Sequence, residues 1–275
     1  MALYDRLGEN ASDFWQRSDL ALWNGGSNFK SVVEKRSVLA APAGGHNLQF
    51  VNSRQTMRHL FQPRVLNLAV IAALASALAS YPRLSLWLNR SAPVWYLEGT
   101  IFLCGIVLWG FVFAWHTQYT HRPVFILKPE PGPFIAATVV AIIAAAVFDL
   151  LLDPSLRSKL PEEYPADLEH WFAFLLFTLA INQLFLLFAP FDWLMRLFKN
   201  RWLATNLTVL FGAVLLAIKT QSLPAQLPPL LFAALLTGKV VTGFLAVAFY
   251  LRGGVLLVWW WTFLFETRHL LNLSE

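Results

Sequence analysis

Charge is scarce in this sequence. Asp, Glu, Lys and Arg make up 13% of its 275 residues, against about 25% in a soluble globular chain. That shortage argues against a soluble enzyme. Cysteine is almost missing: the single Cys104 excludes an intrachain disulfide framework and a zinc or iron–sulfur centre built on cysteines. Acidic residues are outnumbered, 16 against 21 basic ones. In a membrane chain that excess reports basic loops, not nucleic-acid binding. What the chain does have is apolar surface, 57% hydrophobic residues with a mean hydropathy of +0.54. Several membrane spans are the expectation, and the fold class read from them is an all-α polytopic membrane protein.

The N-terminus offers no apolar run of signal-peptide length and carries Asp5 and Glu9, which a transit peptide avoids. Residues 1–62 are polar and punctuated by Gly25, Gly26, Gly44 and Gly45, and read as an extramembrane arm. Membrane helices follow within 63–160, at about 65–81, 94–115 and 134–152, since a span takes about 20 mostly apolar residues. They must be helical because lipid offers no partner to free backbone groups. Beyond residue 168 lie two long apolar stretches, about 168–222 and 226–271, parted at Ser222-Leu223-Pro224. A helix of roughly 50 residues runs about 75 Å, more than twice a bilayer core of about 30 Å. Either each stretch is two spans joined by a tight turn, or each is one steeply tilted helix and the pair forms a C-terminal hairpin.

The first stretch contains Ala189-Pro190-Phe191-Asp192-Trp193-Leu194-Met195-Arg196-Leu197-Phe198-Lys199-Asn200-Arg201. One reading is a loop between spans, with Arg196, Lys199 and Arg201 as its basic residues. The other carries the helix through Pro190 with a kink, so that Asp192, Arg196 and Asn200, at i, i+4 and i+8, form a polar stripe. An arginine at bilayer depth is costly and points to function. A guanidinium never deprotonates, which suits a fixed charge rather than a proton carrier.

Pro190-x5-Arg196-Leu197-Phe198-x-Asn200 resembles the signature of subunit a of F-type ATP synthases, in which the arginine is the stator charge facing the rotor ring. The resemblance spans residues 170–270. It includes His170-Trp171 upstream, Asn182 where the family often has a glutamate, and two long terminal helices. The chain departs from the family at Asp192 and Trp193, at Thr205, and at Leu251-Arg252-Gly253, where a Gln-Ala-aromatic run is expected. The resemblance implies a proton-conducting subunit that is no enzyme on its own and needs neither cofactor nor metal. Its partners would be a rotor ring of c subunits, peripheral-stalk and other membrane subunits, and lipid, with no nucleic acid. Its place would be the mitochondrial inner membrane, with a bacterial inner membrane as the alternative. Arg196 would favour ionised rotor carboxylates and block proton leak. Asn200 would orient it or hold water, Asp192 would pair with it or handle protons, and Arg252 would be a second positive group. Asn182, Glu169 and His170 would belong to the proton pathway.

Plainer readings stand beside these. Asn200 can be a surface amide, Arg252 a loop residue after a span, and Glu169-His170 the wet start of a helix. Lys239 can snorkel to an interface. His116 and His121 are read as an ordinary span end, and Glu266-x-x-His269, a metal-ligand spacing, as a polar helix end. A rival resemblance, to intramembrane CAAX-type proteases, rests on Phe191-Asp192-x3-Arg196 and Phe211-x3-Leu215. It lacks the acidic pair and the histidine, and so implies an inactive scaffold. A structural subunit of another respiratory complex is a third possibility.

Overall fold

The computed structural model describes residues 62–86, 92–160, 164–221 and 227–273. The expected arm at 1–62, but for its last residue, and the joint at Pro224 lie outside the described residues. Six helices are long and apolar enough to cross a membrane: α1 (Pro63–Leu86), α2 (Val94–Thr120), α3 (Pro131–Leu151), α5 (Leu168–Phe198), α6 (Arg201–Gln221) and α7 (Pro229–Glu266). A short α4 (Asp153–Lys159) follows α3, and a 3₁₀ segment (Thr267–Asn272) follows α7. Helices cover the three early apolar stretches, each a few residues different in extent. Large side chains such as Ile71, Leu78, Leu103, Ile142 and Leu150 stand exposed on their outer faces, as lipid-facing positions do and a soluble surface of this extent does not.

α1 and α2 form an antiparallel hairpin held close by small residues. Gly105 lies against Ala73, and Trp109 Nε1 donates to Ser76 Oγ at 3.0 Å. α5 packs beside α2, with Phe188 against Trp109 at 6.4 Å between ring centroids.

Neither long stretch is a single rod. The first breaks at Lys199, which adopts the left-handed conformation with φ 52°. Asn200 then accepts from Leu203 N at 3.1 Å through its side-chain oxygen and from Ala204 N at 3.0 Å through its carbonyl. That is the N-cap of a new helix. α6 folds back along α5, bringing Phe211 to Phe185 at 5.8 Å. The helix continues through Pro190, as the kinked reading expects, and does not open there into a loop between spans. The chain passes Pro190 as helix, preceded by two π-helical turns, Thr178–Asn182 and Leu184–Phe188. Wider turns accommodate a proline that removes a helix hydrogen bond and crowds the preceding carbonyl.

The second stretch reverses inside α7, at Gly254, with φ 66° and ψ −160°. Its arms, 229–253 and 255–266, lie antiparallel, so that Phe249 and Trp261 meet at 6.1 Å. A Cβ at Gly254 would run into the Val124 carbonyl oxygen, and Val255 N donates to that same oxygen at 3.0 Å. The tilted hairpin expected over 168–222 and 226–271 is therefore corrected. Each stretch doubles back, the first because three consecutive polar residues end one helix and cap the next, the second because paired glycines permit a reversal.

Candidate functional site

Two polar centres lie between these helices. The first joins α2, α5 and the first arm of α7. Tyr250 Oη donates to Asp192 Oδ2 at 2.6 Å. His116 Nδ1 stands 3.8 Å from Asp192 Oδ1, too far for a hydrogen bond but close for charge. The three residues are 0%, 0% and 1% exposed, and the His116 and Tyr250 rings lie 4.6 Å apart. Phe188 and Phe191 close over the tyrosine at 4.9 and 5.9 Å. Among the described residues, neither His116 nitrogen nor Asp192 Oδ1 has a hydrogen-bond partner. An uncompensated buried charge is expensive. Carboxylate with imidazolium and carboxyl with imidazole hold the same protons, so moving one proton from one partner to the other interconverts them.

Arg196 lies one turn along α5 from Asp192. Its guanidinium sits over the Trp115 ring, 4.5 Å from the centroid, while Asp192 turns to Tyr250 and His116. The stripe of Asp192, Arg196 and Asn200 does not form, because Lys199 ends the helix before Asn200. Asn200 is exposed and serves as a cap.

The second centre is a cavity of ≈ 210 Å³ between α5, α6 and both arms of α7. Asn182, Gln183, Lys239, Thr242, Thr262 and Glu266 supply its polar lining. Gln183 Nε2 donates to Thr262 Oγ1 at 2.9 Å, and Asn182 Nδ2 to Thr178 Oγ1 at 3.4 Å. Lys239 does not run to an interface; its stem passes over Gly212 and it lines the cavity. On insertion scales a lysine at such depth costs about 3 kcal/mol, so the cavity must compensate it.

Beside the cavity lies a buried ion network that the sequence reading treated as a polar helix end. Arg268 Nε meets Asp153 Oδ2 at 3.1 Å, and Arg268 Nη1 and His269 Nε2 meet Glu266 Oε2 at 3.4 and 3.2 Å. Tyr164 Oη donates to Asp153 Oδ1 at 2.9 Å. Burial, with Asp153 beside it, raises the Tyr164 phenol above its ordinary range and keeps it a donor. No group of three metal-ligating side chains occurs among the described residues, and the Glu266–His269 spacing brings a carboxylate to an imidazole at 3.2 Å.

The other sequence candidates scatter. Arg252 sits at the α7 reversal, where its carbonyl accepts from Arg122 Nη1. Glu169 is exposed and His170 half-buried at the start of α5. Asp167 caps that helix, accepting from His170 N at 2.8 Å, and this bond holds its carboxyl below the ordinary value of 3.8. The structure thus keeps Asp192 and Asn182 in polar centres and adds His116, Tyr250, Lys239, Glu266, Arg268 and Asp153. A histidine and an acid inside apolar runs were the available signal for His116 and Asp192. Nothing in the sequence paired them. No protein family, curated protein or solved structure matches this chain.

Proposed function

We propose that this chain is a multi-pass membrane protein that handles protons between its helices, with Asp192 and His116 exchanging the proton. The observation that carries the reading is the placement of Asp192. Tyr250 anchors one carboxylate oxygen at 2.6 Å, and the other faces His116 Nδ1 at 3.8 Å. Ionisable residues buried between spanning helices are a hallmark of proton relays, and each proton crossing 100 mV releases about 2.3 kcal/mol.

A narrower form makes Arg196 the stator charge of an F-type ATP synthase, conducting protons beside a ring of c subunits in the mitochondrial inner membrane. The Pro190-x5-Arg196-Leu197-Phe198-x-Asn200 segment supports it. The reversals at Lys199 and Gly254 weigh against it, because they divide the long rods that would flank a ring.

The purified chain is tested in liposomes carrying a pH-sensitive dye under an imposed potassium potential. The wild type is expected to move protons faster than protein-free vesicles, and Asp192→Asn to abolish the difference. A folded wild type no faster than empty vesicles sinks the relay. The stator form is tested apart from this, by photocrosslinking from position 196 in native membranes. Capture of a small ring-forming subunit supports it, and a full adduct survey without one rejects it.

A further inference from the structure

We propose that the cavity between α5, α6 and α7 is a binding site for a small organic monocarboxylate, held by Lys239. Four observations carry the inference. First, the cavity contains the Lys239 ammonium, which has no counter-ion at contact distance among the described residues. Glu266 lines the same cavity, but its close partners are Arg268 at 3.4 Å and His269 at 3.2 Å. Lys239 is thus directed to whatever occupies the space. Second, apart from Glu266 the polar groups around it are neutral amides and hydroxyls, Asn182, Gln183, Thr178, Thr208, Thr242 and Thr262. The threonine hydroxyl of Thr242 donates to its own helix, to Gly238 O at 2.8 Å, and that of Thr262 accepts from Gln183. Glu266 is already met by Arg268 and His269, which leaves the Lys239 ammonium to match a single negative charge. Phosphate and sulfate call for several charged or backbone donors converging on one anion, and they are disfavoured here.

Third, the rest of the wall is apolar, with Leu186, Leu187, Trp261 and Phe265, which gives an organic body a place beside the charged end. At ≈ 210 Å³ the space falls below the 300–1,000 Å³ typical of drug-sized ligands, so the body is short. Fourth, the π-helical turn Thr178–Asn182 places the neighbours Asn182 and Gln183 on the same cavity. π-turns inside α-helices recur at functional sites. The site is independent of the proton relay. It involves neither Asp192 nor His116, and it stands or falls whether or not those residues move protons.

The test is calorimetric titration of the full chain in nanodiscs with butyrate, using butyramide and inorganic phosphate as controls and empty nanodiscs to subtract partitioning into lipid. Butyrate is expected to bind saturably, and butyramide and phosphate are expected not to compete. Lys239→Gln should weaken binding at least tenfold, while Lys239→Arg, which keeps the charge, should restore most of it. If Lys239→Gln fails to fold, Gln183→Leu and Thr262→Val replace it, each expected to weaken butyrate severalfold with elution and helicity unchanged. The proposal is overturned if butyrate gives no saturable heat beyond empty nanodiscs, if butyramide binds equally well, or if well-folded Lys239→Gln binds like the wild type.

Discussion

An amide that caps a helix and an amide that serves a proton channel tolerate different replacements. Asn200 accepts from Leu203 N, a role aspartate fills equally well and alanine does not. Asn200→Asp is expected to leave unfolding in micelles unchanged, and Asn200→Ala to cost about 1 kcal/mol, with proton flux unaltered by either. A large loss of flux in a fully stable Asn200→Asp would restore its channel role. The Asp192 centre gives the opposite pattern. Tyr250→Phe removes the donor to a carboxylate with 0% exposure and is expected to cost about 2 kcal/mol. In an Asp192→Leu background the same change should cost less than about 1 kcal/mol, since the group it served is gone. Equal costs in both backgrounds would mean the hydrogen bond contributes nothing. These residues also mark the limit of what the sequence shows. Asp192 stood out because an acid inside an apolar run is rare. Its partners lie on other helices, Tyr250 58 positions away, and periodicity along one chain reports which face a residue occupies, not which residue it meets.

Helices were the readable level, for a direct physical reason: lipid demands apolar runs of a fixed length, and α1, α2 and α3 meet that demand. The reversals were not readable from hydropathy, which registers how apolar a segment is and not which way it runs. Lys199-Asn200-Arg201 and Gly253-Gly254 carried the information, but the second reversal is seated on the Val124 carbonyl, 130 positions from Gly254. At the second reversal, Gly254→Ala combines a positive φ with a clash against the Val124 carbonyl. The expected cost is about 3 kcal/mol or more, measured as loss of folded protein on size exclusion, with Gly132→Ala, whose added Cβ meets nothing within 4 Å, as the tolerated control. The start of α5 carries a pH dependence whose sign follows from Asp167. Its folded carboxyl lies below 3.8, so the cap is fully formed above that value and is lost as pH falls through the lower, folded one. Amide exchange at His170 should therefore accelerate in acid, corrected for the intrinsic rate. Asp167→Asn, a cap that does not titrate, should remove the effect. Persistence of the acid response in Asp167→Asn would trace it to another group.

At the scale of the molecule, the contacts sort every described turn to one of two ends. Arg201 Nη2 donates to Tyr119 O at 3.2 Å and Val255 N to Val124 O at 3.0 Å, so the α2–α3, α5–α6 and α7 turns share one end. Trp171 Nε1 donates to Glu266 O at 3.0 Å and Arg268 pairs with Asp153, so the α3–α5 connection and the close of α7 share the other. With α7 doubled back, the start of α1 and the close of α7 fall at opposite ends. The first end gathers Arg64, Arg122, Lys128, Lys199, Arg201 and Arg252. The second has Arg83, Arg157, Lys159 and Lys219, with Arg268 buried. The positive-inside rule counts basic residues near span ends, and over the described residues it predicts that the first end faces the side on which basic loops are retained. Single cysteines introduced after Cys104→Ala, at Lys128 and Lys199 on one end and at Ser158 and Gln221 on the other, test this with an impermeant maleimide. Added outside right-side-out vesicles, the reagent should modify positions 158 and 221 and reach 128 and 199 only after permeabilisation. The reverse pattern would keep the fold and invert its orientation. Modification of 128 and 221 from the same side would mean that the chain does not double back at Lys199, and the cavity between α5 and α6 would go with it.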